Sequence, residues 1–141
     1  MTRITEVTRL AEIDAAQHLM DGPMKAAAAN KFLEESNHHL LLAYSDTDEL
    51  LPVGMVSGVE TTHPDKGTEM FLYELSVDES SRRQGVGAAL VKALAKLGKE
   101  RGCYGMWVLT DSDNDAALAT YRSGGGEGPT SHVMIAWTFT P

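Results

Sequence analysis

Leu72–Gly102 reads LYELSVDESSRRQGVGAALVKALAKLGKERG. Leu72, Leu75 and Val77 make a short apolar strand, interrupted only by Glu74. Asp78-Glu79-Ser80-Ser81 ends the strand with turn chemistry. Beyond the turn, Val86, Ala89, Leu90, Ala93, Leu94 and Leu97 recur at helical spacing, and Lys92, Lys96 and Lys99 fall on the other face. Gly102 is a helix stop. Between strand and helix lies a glycine-bearing loop, Arg82-Arg83-Gln84-Gly85-Val86-Gly87.

The chemistry of that loop is anion binding. A helix N-terminus carries unpaired N–H groups and a partial positive charge. Glycine lets the backbone come close to a ligand, so the two together cradle phosphate. Arg82 and Arg83 add charge at the entrance. The loop lacks the Gly-Lys-Ser/Thr ending of a nucleotide-hydrolysing phosphate loop and the three-glycine dinucleotide fingerprint. On its own, a pair of glycines also fits an ordinary helix start with a solvated basic entrance.

Arg82-x-x-Gly85-x-Gly87 directly after Leu75-x-Val77 resembles motif A of the GNAT superfamily of N-acetyltransferases. A second block agrees: Cys103–Thr110, then Asn114 and Ala116–Tyr121, is similar to the superfamily's next strand and helix with its tyrosine. The likeness runs over about residues 38–139. FLYELSV, SRRQGVG and TDSDNDAALATY look most like the aminoglycoside 3-N-acetyltransferases. The resemblance implies an α/β GNAT fold. Its central sheet is mixed and mostly antiparallel, with a V-shaped splay between two parallel strands and about four flanking helices. It also implies acetyl-coenzyme A as cosubstrate.

Length and composition set bounds. At 141 residues the chain is expected to form one domain, 1–141, around one core. No run is long enough for a transmembrane helix, and no signal peptide is evident. A lone cysteine, Cys103, excludes a disulfide framework and fits a reducing, cytoplasmic compartment. The five histidines show no metal spacing, so no metal site is expected. A net charge of -8 argues against nucleic acid as the main partner. The charge is also divided: residues 46–79 carry nine acids against Lys66, while 80–101 carry six bases against Glu100. An anionic cofactor and a small cationic substrate would each be steered to its own end, although acidic loops also serve solubility.

Taken in order, the chain predicts a first strand at Thr2–Val7 and helices at Ala11–Met20 and Met24–Glu35. Strands follow at His38–Tyr44, Leu51–Glu60 and Met70–Val77, an antiparallel meander with Gly54 and Gly58 as points of bulge or close approach. After the long helix, Cys103–Thr110 returns by a crossover and therefore runs parallel to Met70–Val77. Asp113–Ser123 is a short helix, Gly124–Pro129 a flexible linker and His132–Phe139 the closing strand. Apolar strands such as Val133–Phe139 are able to pair between chains, and the resemblance implies a superfamily that often dimerises, so a homodimer is expected.

The resemblance assigns roles to residues. Arg82, Arg83, Gln84, Gly85, Val86, Gly87 and Ala88 hold the pyrophosphate, and Leu75, Ser76 and Val77 bind the pantetheine arm. The Val77 N–H is the implied polariser of the thioester carbonyl. Asn114 hydrogen-bonds pantetheine. Tyr121 is the implied general acid for the departing thiolate, against an ordinary core aromatic on the Ala117–Leu118 stripe. Glu74, a carboxylate in an otherwise apolar strand, is the candidate general base; a salt-bridged glutamate is the plainer reading. Asp111, Asp113 and Asp115, with Glu60, are expected to bind a polycation, although acids also favour a helix N-terminus. One departure stands out: Tyr121 is followed by Arg-Ser and three glycines, where the superfamily commonly carries a large apolar anchor.

The expected activity is direct acetyl transfer to an amine, the 3-amino group of an aminoglycoside first. Polyamines, other small amines and protein amines remain as alternative acceptors. A coenzyme A-binding regulatory module without catalysis is the rival outside the enzyme class.

Overall fold

The structure is a computed structural model and describes residues 2–140. Its described elements, in order, are β1 (Arg3–Glu6), α1 (Leu10–Ala15), a 3-10 turn (Gln17–Leu19), α2 (Ala26–Glu34), β2 (His38–Tyr44) and β3 (Gly54–His63). Then come β4 (Gly67–Val77), a second 3-10 turn (Glu79–Ser81), α3 (Val86–Glu100), β5 (Met106–Val108) and α4 (Asp115–Ser123). The sheet order is β1-β2-β3-β4-β5. Neighbours from β1 to β4 are antiparallel, and β5 lies parallel to β4. The meander, the crossover through α3 and the mixed sheet are those expected of a GNAT fold.

The sheet has a core on each face. Successive side chains of a strand point to opposite faces, and HHLLLAY uses both. Leu40, Leu42 and Tyr44 pack with Ile13, Leu19 and Ala29 from the first helical segments. Leu41 and Ala43 pack with Val56, Met70, Leu72 and the α3 residues Val86, Leu90, Val91 and Leu94. This is why β2 reads as a continuous apolar run rather than an alternation. Burying Leu90 and Leu94 completely is worth about 1.5–3 kcal/mol each. Gly58 is a close-approach point: an added Cβ would stand 2.9 Å from Leu94 Cδ2 and Met70 Sδ.

Several expectations are corrected. The first helix breaks at Ala16, and a 3-10 turn replaces its second half. The third strand begins at Gly54 rather than Leu51, after Pro52, which has no N–H to give a ladder. β5 covers only Met106–Val108 of the expected Cys103–Thr110. His132–Phe139 is not a strand. It has no regular structure, and Val133, Met134, Ile135, Trp137 and Phe139 are 75–91% exposed. Apolar alternation gives a segment the propensity to pair, and pairing still requires a partner strand.

The glycines after Tyr121 have a packing role at Gly124. A Cβ there would lie 2.5 Å from Val91 Cγ1 and 2.8 Å from Val91 Cβ, so Gly124 lets the end of α4 close on α3. Gly124→Ala is expected to destabilise the fold by about 1–3 kcal/mol through overpacking, read as a lower midpoint in urea unfolding.

Candidate active site

The parallel strands part early. β4 and β5 pair at Met70–Met106, Phe71–Trp107 and Leu72–Val108, and β4 then runs on to Val77 with β3 alone. The Asp78 N–H donates to the Val53 carbonyl at 2.8 Å, towards β3. Backbone groups alternate sides along a strand, so Leu75 and Val77 turn theirs away from β3, into the gap. The Val77 carbonyl accordingly accepts from Arg82 Nε at 3.1 Å.

A bulge decides where Glu74 goes. Ser57 stands opposite Glu74 but Gly58 stands opposite Leu72, so Tyr73 is one extra residue in β4. Met70 and Leu72 pack on the α3 side before the bulge, and Leu75 and Val77 do so after it. Glu74 and Ser76 therefore lie on the other face, towards α1 and α2. Without the extra residue the alternation would have carried Glu74 under α3. Burial pushes the Glu74 carboxyl above the ordinary carboxylate range, and the Asp21 charge pushes it the same way. Asp21 did not emerge from the sequence, where Asp21-Gly22-Pro23 reads as a helix stop. Met20, Met24 and Phe32 pack, partly buried, against the core on that side.

The loop suits a phosphate-bearing ligand. Arg83 (φ 64°) and Gly85 (φ 80°) are left-handed, a geometry that forms concave runs of N–H groups. Gly85 is the N-cap of α3 and has no side chain to cap it. The first N–H groups of α3, at Val86, Gly87 and Ala88, thus face outward with the helix dipole behind them. Gln84 Nε2 donates to the Ser80 carbonyl at 3.3 Å and ties the loop to the preceding turn. Gly87 has a second role. A Cβ there would lie 2.9 Å from Thr120 Cγ2, so Gly87 also allows α4 to approach α3. This uncapped concave run, flanked by Arg82 and Arg83, fits a pyrophosphate. The backbone edge of Leu75–Val77 fits an amide-bearing arm.

On α4, the Asn114 side chain accepts the Ala117 N–H at 3.1 Å. It is the N-cap, which leaves its amide nitrogen as the donor for any ligand. Tyr121 is partly buried against the α3-side core, and burial holds its phenol pKa above the ordinary value. Its O–H therefore stays protonated through neutral pH. Burial likewise pushes the Cys103 thiol up, away from the nucleophilic thiolate.

The acidic residues divide. Asp111, Asp113 and Asp115 are exposed. They form the turn into α4, where the Asp111 carbonyl accepts the Asn114 N–H at 3.1 Å and the Asp113 carbonyl the Asp115 N–H at 3.0 Å. Glu60 does not join them. It stands opposite Met70, six residues along β3 from Gly54, the partner of Val77; that is about 20 Å at ~3.4 Å per residue. Its carboxylate is engaged by His39 Nε2 at 2.6 Å and by Arg101. His39 is 4% exposed and meets Glu6 through Nδ1 at 2.7 Å, while Arg101 also donates to the Ser36 carbonyl at 3.1 Å. Burial works against the Glu60 charge, but the hydrogen bonds from His39 and Arg101 outweigh it and hold the carboxyl below its ordinary value. Glu60 joins three strands and the end of α3 instead of facing a substrate.

The sequence profile of the acetyltransferase (GNAT) family matches residues 5–125. The N-alpha-acetyltransferase RimI of Mycobacterium tuberculosis (strain ATCC 25618 / H37Rv) is 30% identical over 120 residues, which span 85% of this chain and 72% of that protein. Among solved structures, an aminoglycoside acetyltransferase, meta-AAC0020, from an uncultured soil metagenomic sample, in complex with trehalose, matches with a TM-score of 0.87. Its identity is 22%, over 99% of this chain and 97% of that one. The aminoglycoside N-acetyltransferase AAC(6')-Iy in complex with CoA matches with a TM-score of 0.80 and 18% identity, over 96% of this chain and 98% of that one. These two likenesses are likenesses of fold.

Proposed function

The chain belongs to the acetyltransferase (GNAT) family, an acetyl-coenzyme A-dependent N-acetyltransferase, and we propose that its acceptor is an amino group of an aminoglycoside. The observation that carries this reading is the β4 bulge, which sets Glu74 beside the gap on the face away from α3. Glu74 and Asp21 make that face acidic, which suits an ammonium group. Asp111, Asp113 and Asp115 extend the negative charge for an acceptor with several ammonium groups. The 3-amino group is the first position to test; the 6'-amino group is the second, from the name of one solved relative.

In the proposed mechanism Arg82, Arg83, Gln84 and the N–H groups of Gly85, Val86, Gly87 and Ala88 hold the pyrophosphate. Leu75, Ser76 and Val77 align the pantetheine arm, with Asn114 as a further donor. The Val77 N–H polarises the thioester carbonyl. Glu74, ionised, takes the ammonium proton directly or through water. The freed amine attacks the carbonyl carbon, the C–N bond forms and the C–S bond breaks. Tyr121 gives its proton to the departing sulfur, and the second proton of the attacking nitrogen, lost as the amide forms, passes through solvent to restore the phenol. No acyl-enzyme is formed. The whole chain 1–141 acts as one catalytic domain, in the cytoplasm and as a homodimer. With an aminoglycoside acceptor it would confer antibiotic resistance.

Gly85 gives a direct test of the cofactor loop. Gly85→Val places a branched side chain at φ 80°, which costs about 1–2 kcal/mol or more in the left-handed region. It is expected to weaken acetyl-coenzyme A binding at least tenfold in calorimetric titration, with the helical circular dichroism unchanged. An unchanged affinity would remove the loop from the site.

A second acceptor class is favoured by the RimI relative, whose name describes an N-alpha-acetyltransferase: the α-amine of a peptide. Coenzyme A release should therefore be followed with gentamicin-like and kanamycin-like aminoglycosides, spermidine and peptides with a free α-amine. Turnover with aminoglycosides is expected. Turnover with peptides alone would replace the proposed acceptor by a protein N-terminus. No turnover with any amine, despite tight coenzyme A binding, would favour the non-catalytic module.

A further inference from the structure

We propose that the face of β4 and β5 beside Glu74 is a second acceptor subsite, in which Trp107 and Tyr73 pack on the apolar face of a distal sugar ring and Glu69 binds an ammonium group on that ring. The proposal deepens the aminoglycoside reading of the site and rests on it. Across the sheet, His38, Val59, Phe71 and Trp107 stand opposite one another in one row from β2 to β5. Phe71 lies between Met70 and Leu72, and Trp107 between Met106 and Val108, and all these neighbours pack on the α3 side. Phe71 and Trp107 therefore point to the opposite face, which is the face of Glu74. At the β2 end α2 covers this row, with Phe32 on His38 at 5.2 Å between ring centroids.

The other end of the row is open and aromatic. Trp107 stacks on Phe71 at 4.2 Å between ring centroids, and Tyr73 meets Phe71 edge-on at 5.9 Å. Tyr73, the extra residue of the bulge, is 73% exposed and Trp107 42%. A carboxylate lies on each side of these rings. Glu74 follows Phe71 along β4 beyond the bulge, and Glu69 precedes it on the same face by alternation. Glu69 Oε2 accepts the Tyr104 O–H at 2.9 Å, which fixes the direction of that carboxylate. Along the strand the two acids are separated by at most about 17 Å, at ~3.4 Å per residue. Neither β4 nor the stretch 104–109 contains Lys or Arg.

This pattern selects the occupant. Aromatic rings suit the C–H face of a sugar and, through the ring quadrupole, an ammonium group. A carboxylate at each end suits a molecule with ammonium groups on separate rings. A peptide α-amine would use the Glu74 end alone, and a polyamine has no ring face to lay on Trp107. An acceptor amine at Glu74 and a distal ring over Trp107 and Tyr73 together describe one multi-ring aminoglycoside laid along β4.

The test is steady-state kinetics of the full chain with a gentamicin-like acceptor. Trp107→Ala is expected to raise the acceptor KM at least about tenfold. The kcat and the KM for acetyl-coenzyme A should stay within about twofold, the signature of lost binding common to ground and transition states. Trp107→Phe should recover most of the affinity. Glu69→Gln should raise the same KM about threefold or more, and added salt should shrink the difference. In a Trp137→Phe background Trp107 is the sole tryptophan, and its emission should change as the acceptor binds; this readout and Glu69→Gln carry the test if Trp107→Ala does not fold. An acceptor KM unchanged by Glu69→Gln, or Trp107 emission unmoved at saturating acceptor, would overturn the subsite and leave the aminoglycoside reading intact. So would a Trp107→Ala loss confined to kcat. Wild-type turnover with peptides alone would overturn both.

Discussion

Glu74→Gln is expected to lower kcat by about 10²–10⁴-fold, the range for loss of a positioned general base, while the KM for acetyl-coenzyme A changes no more than twofold. The separation follows from the bulge, which puts Glu74 on the face opposite the α3 side. Glutamine keeps the shape and removes only the basic oxygen. The pH dependence has a definite sign. The Glu74 pKa is raised, so its active, ionised form appears only above that raised value. The rising limb of kcat should therefore lie above the ordinary carboxylate range, and Glu74→Gln should flatten it. Asp21→Asn should shift the limb to lower pH, because the Asp21 charge is one of the causes of the raised value. A raised carboxyl contributes stability that is lost as pH rises through its folded-state value. Glu74→Gln should thus hold or raise the Tm at neutral pH, so a rate loss cannot be assigned to unfolding.

Tyr121→Phe is expected to lower kcat by about 10²-fold. The ring packs against the α3-side core, and phenylalanine keeps that packing, so the Tm should stay within a few degrees of the parent. What is lost is the O–H that burial keeps protonated. If its proton goes to the departing thiolate, an acetyl thioester of a more acidic thiol needs that proton less. The deficit of Tyr121→Phe should narrow with such a donor, and a purely structural role would leave it unchanged.

The strand, loop and helix of 72–102 were legible because each signal is local: apolar spacing, turn residues and a glycine at a left-handed position. The two faces of β2 were legible in part, since a continuous apolar run implies cover on both sides. Gly58 was legible as a special point, and it proved to be both a close approach and the neighbour of the register shift. The direction of Glu74 was not, because it depends on the extra residue Tyr73 and so on pairing with another strand. Glu60 misled for the same reason. Its partners His39 and Arg101 lie 21 and 41 residues away in sequence, and no spacing rule links them. The closing strand misled differently: HVMIAWTF has the composition of a strand, and composition carries no information about whether an edge is within reach. Asp21 was hidden by its place in a turn.

The most direct test of the central claim is the initial-velocity pattern of the purified chain with its best acceptor, with coenzyme A and acetylated amine counted together. Direct transfer predicts intersecting lines, one coenzyme A released per amine acetylated, and an unmodified protein mass after incubation with acetyl-coenzyme A alone. Parallel lines with an acetyl adduct on the protein would contradict it and would require a covalent nucleophile in the site.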